Sequence, residues 1–410
     1  MSVWQRRLRG QPKAEDRPAY LSVVEPGTTT LRLLVVEALG GQATIWGWAE
    51  LPCPPGQVDD PGWLSNACSK ALSRAEEMAQ DLAKQWMLPD QILVGLPTSR
   101  LLGHALPIDQ RRSRPERPVE ERELEALLGR GLRLAVNRLE SMADDGSDWL
   151  LVDSTAVTLT IDAQGVTDPV GFRGQEMGAS VFASLARRSD VQTWRQVAQE
   201  LEFTELLLAA APVALASAVS EPQAILVDMG GTSTDLIWCR LGRPTALASV
   251  LVGGSTMTHL LVRRWNLAPD RAERLKQIYA AGQLDDEASA QVQEVMLPGL
   301  QFWLQETERA LSQLNRDEPL PQRLYLLGGG SALAEVGESV QALAWSRRLS
   351  FSRYPQVRAL RTTDVPGVLN RTEHGRGRGD VPALALAAWA ARLQQPPDRP
   401  ARILAGLCHG

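Results

Sequence analysis

Short apolar runs separated by turn residues lie near the start of the chain. Residues 21–24 (LSVV) and 31–37 (LRLLVVE) are rich in aliphatic and β-branched side chains, and Pro26-Gly27-Thr28-Thr29 separates them. That pattern predicts a hairpin, and residues 43–50 (ATIWGWAE) offer a third strand. The spacing then becomes helical. Over residues 64–86, Leu72, Ala75, Met78, Ala79, Leu82 and Trp86 share one helical face. Residues 91–96 (QILVGL) return to strand, so the chain opens as an α/β unit.

Residues 111–117 (RRSRPER) read as a solvated connector, charged and interrupted by proline. An amphipathic helix is predicted over 121–142. Strands follow at 149–161 and 166–172 around the turn Asp162-Ala163-Gln164-Gly165, then helices at 180–187 and 193–201. Residues 107–186 therefore read as a small α+β insert in a larger α/β domain. Residues 224–228 (AILVD) form a buried-strand run ending in Met229-Gly230-Gly231-Thr232-Ser233-Thr234-Asp235, with strands expected again at 236–240 and 246–252. Strand, glycine turn, strand thus occurs twice, which suggests two similar halves facing each other. Helices are predicted at 258–265, 268–281 and 286–314. Residues 323–327 (RLYLL) run into Gly328-Gly329-Gly330-Ser331 and a helix at 332–343. A last apolar helix is expected at 381–393, followed by a loosely ordered, proline-rich end.

Composition narrows the class. At 410 residues, with 44% hydrophobic and 22% charged, the chain is long enough for two or more packed subdomains. The formal net charge of −5 argues against a general nucleic-acid binder. Cys53, Cys68, Cys239 and Cys408 are scattered without metal or disulfide spacing, which fits a reducing compartment. The longest uncharged apolar run, 206–219, is shorter than the ~20 residues a spanning helix needs and contains Pro212. A cytoplasmic location is expected. His104, His259, His374 and His409 share no motif, and no acid–base pair marks a small-molecule kinase.

The candidate chemistry lies in the three turns. Glycines let main-chain N–H groups approach a phosphate, and threonine and serine hydroxyls add donors. The candidates are Gly27, Thr28 and Thr29; Gly230, Gly231, Thr232 and Ser233; and Gly328, Gly329, Gly330 and Ser331. The third turn precedes a predicted helix, whose N-terminus favours anions. Asp228, ending a buried strand beside the second turn, is placed to act at the reacting phosphate by holding a magnesium-bound water. Neither the Walker nor the Rossmann spacing is present.

The order GTTT, DMGGTSTD, LLGGGSAL resembles the actin, sugar kinase and heat-shock chaperone superfamily. Within it, 168–174 (DPVGFRG), 252–258 (VGGSTMT) and 272–276 (AERLK) resemble the bacterial cell-division FtsA family; the type IV pilus protein PilM is the nearest competitor. The likeness runs from about residue 21 to 393. It implies a two-lobed actin-like ATPase fold, with duplicated ribonuclease H-like halves and an FtsA-type inserted α+β subdomain. The implied division places subdomain IA at 17–106, 187–216 and 381–396, and the insert IC at 107–186. Subdomain IIA would take 217–246 and 315–380, and IIB 247–314, with tails at 1–16 and 397–410.

The resemblance further implies ATP and Mg2+ between the lobes. Thr28 and Thr29 would face the terminal phosphates, Gly230 to Ser233 would close from the other side, and Gly328 to Ser331 would lie under the adenosine. Glu273 and Lys276, one helical face apart by three residues, would reach the sugar and base. Lys276 is one of only four lysines among 43 basic residues. Asp228 and Glu25 would serve the metal, but the family has aspartate at position 25. The stretch Ala211-Pro212-Val213-Ala214 also lacks the acid that related filament ATPases use to position water. The expectation is a protein that binds ATP with at most weak turnover. As partners, the FtsA resemblance implies filament formation with like subunits and an FtsZ-type tubulin homologue docking on 247–314, at the inner face of the cytoplasmic membrane. A PilM-like chain would instead capture a pilus membrane protein. Residues 1–10 offer a membrane contact. Met1, Val3, Trp4 and Leu8 share one helical arc, Arg6 and Arg9 lie outside it, and Arg7 would snorkel. With Lys13 the segment suits an anionic leaflet at ~1 kcal/mol per basic residue. The C-terminal ARILAGLCHG is a poorer candidate.

Overall fold

Three antiparallel strands open the fold: β1 (Ala19–Pro26), β2 (Thr30–Leu39) and β3 (Gln42–Pro52). The computed structural model describes residues 18–54, 56–143, 146–314, 318–342, 345 and 347–407. The predicted tail and its membrane-facing residues 1–10 lie outside these, as does the end of the helix predicted at 332–343. Helices cover both faces of the first sheet, so its strands are apolar on both sides. Leu21, Val23, Leu34 and Val36 enter one core and Val24, Leu33 and Val35 another.

Helix α1 (Pro61–Ala83) starts where Asp60 accepts from the Gly62 N–H and proline takes the first turn. β4 (Gln91–Leu96) then runs parallel to β1. β5 (Leu101–Arg111), α2 (Glu121–Met142), β6 (Trp149–Ile161), β7 (Gln164–Val166) and β8 (Glu176–Arg187) form one unit. α3 (Arg188–Glu200), β9 (Glu205–Ala210) and α4 (Ala211–Ser217) complete the first half. The second half holds β10 (Gln223–Met229), β11 (Thr234–Arg240), β12 (Arg243–Val250), α5 (Gly254–Trp265), α6 (Pro269–Ala280) and α7 (Asp286–Leu314). After it come β13 (Arg323–Leu327), α8 (Ala334–Gln341), β14 (Gln356–Ala359), β15 (Val368–Asn370), α9 (Val381–Leu393) and α10 (Arg399–Leu407).

The expected duplication is visible in the topology. The first sheet contains the order β3-β2-β1-β4-β9 and the second the order β12-β11-β10-β13-β14. In both, three antiparallel strands are followed by two that run parallel to the first. The second sheet continues from β12 into β5, β8, β6 and β7 through the single register pair Ala246–His104, so it joins lobe II to the β5–β8 unit.

Several elements depart from the sequence expectation. Residues 180–187 are not a helix but the buried strand β8, flanked by β5 and β6. Val181, Phe182, Ala183, Leu185 and Ala186 are all buried, so no period-two signal survives. The strand expected at 166–172 stops at Val166 because Asp168 Oδ1 accepts from the Val170 N–H (3.0 Å), turning the chain. Arg112, expected in a solvated connector, is buried and donates twice to Glu123, at 3.0 Å each. The proline-rich end is ordered as α10. Ile403 and Leu404 are buried against α2, and Arg402 pairs with Glu121 (3.0 Å). A short 3-10 turn over Gly329–Ala332 delays α8 to residue 334. Among the described residues no helix is long and apolar enough to cross a membrane.

Candidate functional site

The β1–β2 hairpin sets the first glycine turn at the edge of lobe I. The second turn follows β10 and the third follows β13, and these two strands are parallel neighbours with Asp228 opposite Leu327. Local geometry explains each. Gly230 N–H donates to Ser233 O (2.9 Å), while Gly254 N–H and Ser255 N–H donate back to Gly230 O (2.9 Å) and Gly231 O (2.8 Å). The start of α5 therefore spends its first amides on the second turn. Gly328 has φ +82°, a left-handed conformation that favours glycine, and a Cβ there would lie 2.2 Å from Asp228 Oδ1. Ser331 Oγ donates to Gly328 O at 2.8 Å.

The three turns meet. Thr232 N–H donates to Thr28 Oγ1 at 3.2 Å across the lobes. A Cβ on Gly231 would stand 2.2 Å from Thr29 Cγ2, so any other residue there would push the Thr29 side chain aside. The third turn closes on the segment before α9: Gly328 N–H donates to Arg378 O (3.1 Å), and Arg378 Nη1 donates to Ser331 O (2.7 Å). Glu273 and Lys276 also converge, but on α5. Lys276 is buried, and its ammonium donates to Gly254 O (3.0 Å), Thr258 Oγ1 (2.9 Å) and Glu273 Oε2 (2.7 Å). All three of its donors are used inside the protein. Burial works to raise the Glu273 pKa, yet the Lys276 charge and the hydrogen bonds outweigh it and hold the group below the usual range.

The cleft also holds residues that sequence reasoning missed. Arg32 is only 13% exposed and bridges three carboxylates: Glu25 (2.8 Å), Asp380 (2.9 Å) and Glu50 (3.3 Å). Arg32 stands opposite Glu25 in one ladder and Glu50 in the next, a pairing legible once the hairpin registers are known. Asp380 arrives from the far end of the chain. Burial raises the Glu25 carboxyl despite the opposing pull of Arg32. Burial first, then the nearby Asp235 and Glu25, push Asp228 up to about 8, so it is largely protonated at neutral pH. Asp235, pushed up to about 6 by burial, accepts from Ser249 Oγ (2.6 Å) and from the Thr98 and Ser99 amides, tying β11 to the turn after β4.

Of the two acids expected to serve magnesium, Glu25 is paired with the Arg32 guanidinium (2.8 Å), so Asp228 is the carboxylate that would meet a magnesium-bound water, with waters and phosphate oxygens completing the shell. Among the described residues no group of three or more His, Cys, Asp or Glu is placed to hold a metal ion. A separate cavity of about 270 Å³ opens at the ends of β1 and β4, between Leu64, Arg100, Arg187, Asp190 and Trp194. It lies where the β5–β8 unit meets the lobe I helices.

A scan against protein-family models and a search of curated proteins each return no match. Solved structures do match. The PilM-PilN type IV pilus biogenesis complex is 20% identical with a TM-score of 0.62, covering 93% of this chain and 99% of that one. The ethanolamine utilization protein EutJ from Carboxydothermus hydrogenoformans is 16% identical with a TM-score of 0.48, covering 92% and 91%. MreB5 of Spiroplasma citri bound to AMPPNP is 11% identical with a TM-score of 0.44, covering 85% and 92%. The likeness is one of fold: the chain has the two-lobed actin-like ATPase fold expected from its three turns.

Proposed function

We propose that this chain is a PilM-like actin-fold adaptor. It binds an adenine nucleotide in the interlobe cleft, turns it over slowly or not at all, and holds a protein partner at the inner face of the cytoplasmic membrane. The observation that carries this reading is the character of the cleft. Three glycine turns converge there, with Thr28 and Thr232 in contact across the lobes, while two acids beside them, Glu25 and Asp380, are paired with Arg32. Tied to the Arg32 guanidinium, Glu25 is not free to serve metal or water, which suits binding with slow turnover. Position 211 agrees, because Ala211-Pro212-Val213-Ala214 in α4 brings no acid. Glu273 and Lys276 contribute by fixing α5 against the second turn. The partner clause rests on the PilM-PilN likeness over nearly the full length of both chains. The cavity between Arg100, Asp190 and Trp194 offers a peptide both apolar and charged contacts.

The FtsA-like reading shares the cleft and is favoured by the stretches 168–174 and 272–276. It adds filaments, an FtsZ-type partner on 247–314 and a membrane contact through residues 1–10. Titration with a fluorescent ATP analogue, with and without magnesium, tests the nucleotide. No binding in either condition overturns the cleft assignment, and turnover above about 1 s⁻¹ overturns slow hydrolysis. Recovery of a pilus membrane protein from cells supports the PilM-like role. Recovery of FtsZ, with filaments on a lipid monolayer, replaces it with the cell-division role.

A further inference from the structure

β14 is the outermost strand of the nine-stranded sheet, with β13 as its partner. Gln356 N–H donates to Gln322 O (2.7 Å) and Leu360 N–H to Leu326 O (2.9 Å). In a parallel ladder the main-chain groups of successive residues point to opposite sides. The even positions therefore face β13, and Val357 and Ala359 turn their N–H and C=O groups to the outer edge, where no strand pairs among the described residues.

The segment that carries this edge is basic. From Ser339 to Thr363 the sequence has five arginines and no acid. All five are exposed, and among the described residues the ion pair in this set is Arg348 with Glu308 (2.7 Å). Arg347, Arg353, Arg358 and Arg361 are left to solvent. A groove of about 440 Å³ opens at the end of β14, with Tyr325, Arg358 and Arg361 in its walls beside two acids, Glu221 and Asp364.

Charge on an edge strand ordinarily prevents pairing with a second copy, since Arg358 would meet Arg358. The same charge invites a strand of opposite sign. We propose that the β14 edge docks an extended acidic peptide from a partner protein, added as a further strand. Its main chain pairs with Val357 and Ala359, and its carboxylates meet Arg353, Arg358 and Arg361. A phosphate-bearing surface would engage the arginines alone; the outward N–H and C=O groups select a main chain. The proposal is independent of the nucleotide cleft.

The test is fluorescence anisotropy of a fluorescein-labelled alternating Glu-Val peptide titrated with the full chain. Binding should weaken with added salt and fall by about tenfold or more in the double variant Arg358→Glu, Arg361→Glu. Val357→Pro removes an outward N–H while sparing the β13 side, so it should lower affinity with little change in thermal unfolding. Arg74→Glu, on α1 in the other lobe, should bind as the parent does. Undiminished binding by the charge-reversed or the proline variant overturns the proposal. So does tighter binding of phosphatidylserine vesicles or a single-stranded oligonucleotide than of the peptide, or self-association that the charge reversal abolishes.

Discussion

Asp228 carries a prediction that separates a protonated carboxyl from a charged one. Its proton is bound more tightly in the folded chain than in the unfolded one, because burial and two neighbouring acids push it up to about 8. A carboxyl raised in this way favours the fold at low pH and loses that contribution as pH climbs from the ordinary carboxylate range to about 8. While that proton is held, the slope is up to ~1.4 kcal/mol per pH unit. Asp153, pushed up to about 7 by burial, adds a contribution of the same sign. Asp228→Asn, neutral throughout, should flatten the profile, so that its stability relative to the parent improves as pH rises. Urea unfolding in steps from about pH 5 to about pH 8 measures it; parallel profiles would mean that Asp228 is charged in the fold. At this scale the sequence showed what is local. Asp228, Thr28 and the glycines stand inside short motifs, whereas Arg32 and Asp380 are 348 residues apart and meet only in the fold.

Elements were legible where one face is wet and obscure where both are dry. Helices α1, α2 and α7 were visible because polar residues interrupt them at helical spacing. β8 was not, because strands on either side and packing on both faces leave a continuous apolar run. α10 was hidden by its prolines; Pro400 sits in its first turn, where a missing N–H costs nothing. Turns allow a sharper contrast. Gly328 and Gly329 are adjacent and identical in sequence, yet only Gly328 combines positive φ with a blocked Cβ position, 2.2 Å from Asp228 Oδ1 and 2.5 Å from Met229 O. Gly328→Ala should destabilise by about 2–4 kcal/mol. Gly329→Ala, with no atom within 4 Å of its Cβ, should stay within about 1 kcal/mol of the parent. Thermal unfolding of the two variants reads the difference, and equal effects would mean that the third turn is not held as described.

For the whole molecule, the repeated five-strand order gives two sheets that share one buried cluster, in which Leu21, Val23 and Leu34 of the first lie with Leu226, Ile237 and Leu327 of the second, and function depends on how the lobes meet at the cleft. They meet by contact: Thr232 on Thr28, Gly231 against Thr29, Asp235 on the turn at Thr98, and β12 on β5. The first two of these contacts fill the space between the hairpin turns of the two lobes. A phosphate that comes to lie there, as the proposed function requires, has to part them. Nucleotide should therefore act as a wedge and open the lobes, the reverse of a ligand that draws an open cleft shut. Bound at a hundredfold excess over Kd, it would still stabilise the fold by about 2.7 kcal/mol through mass action. Small-angle scattering with and without ATP or ADP checks the direction. An increase in radius of gyration, together with a raised Tm, is the expected result. A contraction would mean that the lobes rest open in solution and that the contacts between Thr28 and Thr232 form only after the ligand has entered.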